Sequence, residues 1–297
     1  MDPSTFKARL AAAAARVEAA LDARLPAPEG HQSAVMEAMR YSALAGGKRL
    51  RPFLVIECAR LFGETGEGPV VAGAALECVH AYSLIHDDLP CMDDDDMRRG
   101  KPTVHKVWDE AIGVLAGDGL LTVAFELMAH PDVHPDAGVR VALVADMARA
   151  AGTLGMIGGQ VVDMTVAEGE RDADLITALQ DMKTGALIRF GAGAGAALGG
   201  ASGDERARLE TYARDLGLIF QITDDILDVE GDAELVGKAV GKDSGLGKAT
   251  FVSSLGLAGA KEKAAILAGE AKAQLDGWGP RADALRACVD FVLARDR

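Results

Sequence analysis

Apolar residues recur at three- and four-residue spacing along almost the whole chain, a pattern that predicts helix after helix. Residues 5–24 place Leu10, Val17 and Leu21 on one stripe, with Arg, Glu and Asp elsewhere, and the Pro-Ala-Pro-Glu-Gly run at 26–30 ends that helix. A second helix is expected over 33–45, closed by Gly46-Gly47. A third opens around Pro52, whose missing N–H is harmless in a first turn. The loop 63–69 leads into a long apolar helix over about 70–88. Further helices are expected at about 104–116, 118–129, 137–150, 153–167, 173–199, 205–229, 248–257, 259–276 and 281–295. No stretch reads as an interdomain linker. The fold class is therefore all-α; the length fits one large helical domain or two smaller ones, and with no linker in view 1–297 is expected to form a single domain.

The Gly-rich run Gly191–Gly200 keeps helical periodicity in its flanks, and we read it as a close helix–helix approach across small residues. Two irregular segments, 91–103 and 230–248, each follow an Asp-rich motif. The first motif is His86-Asp87-Asp88-Leu89-Pro90-Cys91-Met92-Asp93, followed by Asp94, Asp95 and Asp96 and then by Arg98, Arg99 and Lys101. The second is Asp224-Asp225-Ile226-Leu227-Asp228. The surroundings Leu84–Leu89 and Gln221–Ile226 resemble each other, which suggests two facing helices with similar ends.

Asp224 and Asp228 lie about 40° apart on one helix face. Like charges so placed repel, and a hard divalent cation is the natural compensation. Asp93 falls on the wrong face for Asp87 in an unbroken helix. Pro90 should end the helix near Leu89 and let the loop fold Asp93 back. Gly46-Gly47-Lys48-Arg49-Leu50-Arg51-Pro52 is a basic turn opening a helix, suited to phosphate. Lys183, Thr184, Gln221, Lys238, Lys242 and Lys248 supply further donors. Two other patterns fail: Gly241–Ala249 misses the phosphate-loop spacing, and Pro131 and Pro135 place His130 and His134 in a loop.

Composition narrows the classes. With 45 acidic against 31 basic residues the net charge is −14, which argues against nucleic-acid binding. The chain is 49% hydrophobic but only 4% aromatic, so its core must be aliphatic and Ala-rich. Cys58, Cys78, Cys91 and Cys288 show no zinc spacing and read as reduced thiols of a cytoplasmic protein. The first residues lack the pattern of a signal peptide, and no run of about 20 uncharged apolar residues is present, so no membrane span is expected.

The motifs Gly46–Pro52, His80–Asp93 with Arg98-Arg99-Gly100, Gly158-Gly-Gln160, Lys183-Thr-Gly185 and Phe220–Asp228 together resemble those of the all-trans short-chain prenyl diphosphate synthases, most closely the bacterial farnesyl diphosphate synthases. The likeness runs from about residue 30 to 257. It implies an isoprenoid synthase-like fold, a single large helical bundle around a central apolar cavity with the Asp motifs on two facing helices, and a Mg²⁺-dependent condensation of isopentenyl diphosphate with dimethylallyl or geranyl diphosphate, giving (2E,6E)-farnesyl diphosphate.

By the same resemblance, Asp87, Asp93 and Asp224 hold about three Mg²⁺ ions per active site, supported by Asp88, Asp225 and Asp228. Arg98, Lys183 and Lys238 hold the allylic diphosphate. Lys48, Arg51, His80 and Arg99 hold isopentenyl diphosphate, and Lys248 is a further substrate ligand. Thr184 and Gln221 shield the allylic cation. Tyr82, with the small Ser83 beside it, forms a floor that stops growth at fifteen carbons. A homodimer is implied as well. Alternatives are a synthase of the twenty-carbon geranylgeranyl product, a helical terpene cyclase and a non-catalytic subunit. The basic turn argues against the cyclase and the two intact Asp motifs against the subunit.

Overall fold

Helices α1 (Pro3–Arg24), α2 (Ser33–Ala43), α3 (Leu50–Leu61) and α4 (Gly68–Asp87) open the chain in the computed structural model, which describes residues 1–166, 173–235 and 250–295. A two-residue hairpin, β1 (Met97–Arg98) against β2 (Lys101–Pro102), interrupts the helices and pairs antiparallel. Then follow α5 (Val104–Val107), α6 (Glu110–Ala129), α7 (Ala137–Ala151), α8 (Met156–Thr165) and α9 (Ala173–Gln180). A π-helical turn at Asp181–Gly185 leads into α10 (Ala186–Leu198), and α11 (Gly203–Leu235), α12 (Phe251–Gln274) and α13 (Asp283–Leu293) complete the chain. The chain divides into two compact units.

The first unit comprises Lys7–Met147 with Ala194–Ala201. Here α4 packs on α3 and α6, and α2 packs on α6. Phe53, Leu54, Leu61, Leu76, Leu120 and Met128 fill the space between them, all fully buried. The 194–199 stretch presses on α3 as its small residues require. A Cβ at Gly195 would meet the Val55 carbonyl oxygen at 2.4 Å, and one at Gly199 would meet Phe62 at 2.8 Å. The close approach expected of the Gly-rich run is found.

The second unit comprises Met1–Phe6, Ala148–Gly193 and Ser202–Arg297. Its long helix α11 packs along α12 and α13, and the π turn contacts α8, α9 and α11. Ile176, Ile222, Ile226, Phe251, Ala260 and Ala264 form one apolar cluster. The buried Tyr212 hydroxyl donates to the Leu285 carbonyl at 3.0 Å. Thr250 caps α12 reciprocally with Ser253, and Gly256 (φ 70°) kinks the helix where the sequence predicts a boundary between two.

Several expectations are corrected. The segment expected as helices 104–116 and 118–129 is a single turn followed by one continuous α6, because Asp109 caps the start by accepting from the Ile112 amide at 2.8 Å. Helix 173–199 is broken by the π turn. Although no run of about 20 uncharged apolar residues occurs, three stretches among the described residues are long and apolar enough to cross a membrane by length and composition alone. Gly68–Asp87, Glu110–Ala129 and Ala137–Thr165 each contain such a window. In α4 that window is 78% buried inside the protein, so its apolar residues serve the interior.

Candidate active site

In the first unit, α4 ends at Asp87, two residues before the expected Leu89, and Asp88 caps it. The chain then turns back on itself. The Asp93 amide donates to the Asp87 carbonyl at 2.8 Å, and the Met92 and Asp94 amides donate to the Leu89 carbonyl at 2.8 and 3.2 Å. This is the return that Pro90 predicts. Asp87 is half-buried and Asp93 exposed. Asp88 is different: it is 4% exposed, and Arg98 Nε lies 2.7 and 2.9 Å from its two carboxylate oxygens. Burial raises the Asp88 pKa above the ordinary carboxylate value, with Arg98 opposing.

The basic turn splits its cations between structure and solvent. Arg49 adopts a left-handed backbone (φ 48°). It is buried, paired with Glu77 at 2.5 Å and bonded to the Ala43 carbonyl at 2.7 Å. Lys48 is exposed and Arg51 half-buried. Arg99 donates to the Gly46 carbonyl at 2.5 Å, and a Cβ at Gly47 would meet its guanidinium at 2.9 Å. Glycine at 47 therefore makes room for Arg99.

Arg51 Nη1 lies 3.4 Å from His80 Nε2. The His80 pKa is held well below 6.5, first by burial and then by Arg51, Arg99, Arg49 and Arg98. A neutral imidazole can turn a lone pair towards the guanidinium. Tyr82 is buried, with its ring edge-on to His86 at 5.7 Å. Its pKa is pushed up to about 12 by burial and by Asp87. Ser83 donates to the His80 carbonyl at 2.9 Å.

In the second unit, one cavity of about 220 Å³ is lined by Asp163, Lys183, Thr184, Gln221, Asp225 and Asp228 among others. Local packing builds it. A Cβ at Gly159 would lie 2.5 Å from the Lys183 backbone nitrogen, so only glycine lets α8 touch the π turn. That contact sets Lys183 Nζ 2.7 Å from Asp163 Oδ2. Asp225 is buried and engages the chain with both oxygens. One accepts from Gln221 Nε2 at 3.1 Å, the other from the Phe251 amide at 2.8 Å, at the N-terminus of α12. Burial raises its pKa, with the Phe251 and Gln221 hydrogen bonds opposing. Asp224 pairs with Arg295. The Arg295 guanidinium stacks 3.8 Å from the Phe220 ring centroid and donates to the Phe220 carbonyl at 2.6 Å. Lys238, Lys242 and Lys248 lie outside the described residues.

Residues 32–275 match the family model described as "Polyprenyl synthetase". The chain belongs to the polyprenyl synthetase family. It is 45% identical over 261 residues to a farnesyl diphosphate synthase of Bacillus subtilis, covering 88% of each chain. It is 44% identical over 298 residues to a chloroplastic geranylgeranyl pyrophosphate synthase of Capsicum annuum, covering 99% of this chain and 80% of that one. A crystal structure of a farnesyl/geranylfarnesyl diphosphate synthase from Zymomonas mobilis superposes with a TM-score of 0.88 at 43% identity, covering 98% of this chain and 99% of that one. The fold is thus the helical isoprenoid synthase fold, and the protein is a prenyltransferase.

Polyprenyl synthetases are in general metal-dependent, and the donor set here suits a hard divalent cation. Asp87 and Asp93 in the first unit, and Asp224 and Asp228 in the second, offer carboxylate oxygens at half-buried or exposed positions. Asp88 and Asp225 have their oxygens engaged by the chain, which fits holding the ends of the two Asp-bearing helical segments in place. The second carboxylate of each Asp-Asp pair is thus buried while the first is half-buried, because successive helical positions differ by about 100°. Sequence reasoning missed Asp163 and Arg295. Asp163 had a signal, since it follows Gln160 at i+3 on one helix face. Arg295 had none, standing 71 positions beyond Asp224 in the sequence.

Proposed function

We propose that the protein is a Mg²⁺-dependent trans-prenyltransferase that joins isopentenyl diphosphate to dimethylallyl or geranyl diphosphate and releases (2E,6E)-farnesyl diphosphate. One observation carries the reading. A single cavity gathers Lys183, Thr184 and Gln221 beside Asp225 and Asp228. An ammonium and paired carboxylates in one cavity suit a ligand whose phosphates arrive together with a divalent cation.

Asp87, Asp93 and Asp224 would hold about three Mg²⁺ ions with Asp228 in support; bound there, Mg²⁺ supplies Lewis-acid stabilisation of the departing diphosphate. The chain's own groups do the remaining work. Lys183 and Arg98, with Lys238, bind the allylic diphosphate and orient its C–O bond. Lys48, Arg51 and Arg99 bind isopentenyl diphosphate, neutral His80 adds a hydrogen bond without another charge, and Lys248 is a further substrate ligand. Thr184 and Gln221 line the approach to the allylic carbon and exclude water from it. Loss of a proton from the isopentenyl unit then restores a double bond in the lengthened chain. Tyr82 and Ser83 on α4 set the fifteen-carbon limit.

The whole chain acts as one catalytic domain in this reading, and as a homodimer. Val114 and Leu115 on α6 and Val141 on α7, the last 68% exposed, leave apolar surface for a second copy to cover. All four cysteines are free thiols, which suits the cytoplasm.

The test is incubation of the purified protein with isopentenyl and geranyl diphosphates and Mg²⁺, followed by sizing of the product. The expected product is C15. A dominant C20 product would favour the geranylgeranyl reading, which the 44% identity to the Capsicum annuum enzyme keeps in view. Absence of turnover would overturn the proposal.

A further inference from the structure

Just beyond the first Asp motif lies a group of donor atoms that the reaction above does not use. Asp94, Asp96 and His105 each offer a ligand atom, and these atoms lie within 4.8 Å of one another. Among the described residues this is the one cluster of at least three His, Cys, Asp or Glu side chains with such spacing. Asp94 and Asp96 are exposed, whereas His105 on α5 is only 8% exposed.

The state of the imidazole is set by its neighbour. The Thr103 hydroxyl donates to the Asp95 carbonyl at 2.8 Å and lies 3.2 Å from His105 Nδ1. With its proton committed to a carbonyl, the hydroxyl can only accept from the ring, so Nδ1 carries the hydrogen and Nε2 the lone pair. His105 Nε2 is buried and has no hydrogen-bond partner. A buried acceptor left unsatisfied costs about 1–3 kcal/mol, and a bound ligand removes that penalty. The same Thr103 donates its amide to the Asp96 carbonyl at 3.0 Å. One residue therefore orients the imidazole and ties down the acidic loop, the arrangement that outer partners give to metal ligands.

We propose that Asp94, Asp96 and His105 form a second cation site, separate from the Mg²⁺ carboxylates, which takes one borderline divalent ion such as Mn²⁺, Co²⁺ or Zn²⁺. Two carboxylates and a neutral imidazole match such ions, whereas Mg²⁺ prefers oxygen alone. Asp96 Oδ1 is paired with Lys106 Nζ at 2.7 Å, which leaves Oδ2 as the donor. Water on the exposed side completes the coordination. The bound ion fastens the loop that carries Asp93, Arg98 and Arg99 to α5. The proposal needs no diphosphate and stands apart from the prenyltransferase reading.

The test is a Co²⁺ titration of the chelator-stripped full-length protein in excess Mg²⁺, followed by visible absorption. Excess Mg²⁺ occupies the oxygen-only sites. The expected result is a d–d band that saturates at one equivalent, weakens at least about tenfold in H105Q and D94N and persists in D87N. Asp94 is exposed, so D94N decides the matter should H105Q fail to fold. No saturable band, or a band unchanged in D94N, or one lost in D87N and kept in H105Q, would overturn the site.

Discussion

Lys183 Nζ and Asp163 Oδ2 stand 2.7 Å apart, joining the π turn to α8. Both side chains keep about a third of their surface in solvent (28% and 31%). Such pairs contribute about 0–1 kcal/mol, so a diphosphate can take over the ammonium at little cost. Lys183→Ala should therefore lower kcat/KM for the allylic substrate about 10- to 100-fold, the value of a charge-assisted hydrogen bond. Asp163→Asn should cost only a few-fold, mainly in KM. Steady-state kinetics of both variants check this, and equal losses would remove the distinction between holding the substrate and aiming the lysine.

Gly159 is where α8 meets the π turn. Gly159→Ala forces a Cβ to 2.5 Å from the Lys183 nitrogen and 2.8 Å from its Cα. The two backbones must separate, at a cost of about 1–3 kcal/mol. Activity should fall further than in Asp163→Asn, because Thr184 moves as well. Gly193→Ala is the control: nothing lies within 4 Å of the added methyl group, and an Ala in a helix should raise stability by about 0.4–1 kcal/mol. Urea denaturation midpoints measure both.

Tyr82 separates ring from hydroxyl. Its hydroxyl is buried without a partner, so Tyr82→Phe should leave the product at C15 and keep or raise the melting temperature. Tyr82→Ala removes the ring and should shift the product towards C20. A C15 product from Tyr82→Ala would place the floor elsewhere.

Asp215 offers a pH readout away from the metal ligands. It is 2% exposed, with Arg214 at 3.1–3.2 Å and Glu270 near it. Burial raises its pKa above 3.8, Arg214 opposes and Glu270 adds to the rise. The folded state then binds this proton more tightly than the unfolded chain does. Its contribution is full below 3.8 and is lost as pH rises through the higher folded value. Asp215→Asn, neutral throughout, should gain stability relative to the parent as pH rises above 3.8 and through the higher folded value. Urea unfolding across that range checks the sign.

The helices were legible because 3.6-residue periodicity is local, and α4 shows both the reach and the limit of that signal. Its apolar run, its termination before Pro90 and the return of Asp93 all follow from neighbouring residues. Whether such a helix lies in a protein interior or a bilayer does not, since both reward the same composition. Gly195 and Gly199 were readable as contact points, but not their partners on α3. In the second unit the π turn carried no local signature. Asp181–Gly185 can form an ordinary α turn, and the contacts of Gly159 with Lys183 and of Gly217 with Gly185 go with the wider one.

The site divides the same way. The sequence alone determined which residue types occur and which helix ends carry them: the two Asp pairs, the basic turn and Lys183-Thr184. The tertiary structure decided their division of labour. It turned Asp88 towards Arg98 and Asp225 towards Phe251, gave Lys183 its partner Asp163, and left His105 Nε2 buried without a hydrogen-bond partner. A carboxylate's or imidazole's role depends on what lies within a few ångströms of it, and those neighbours come from distant parts of the chain.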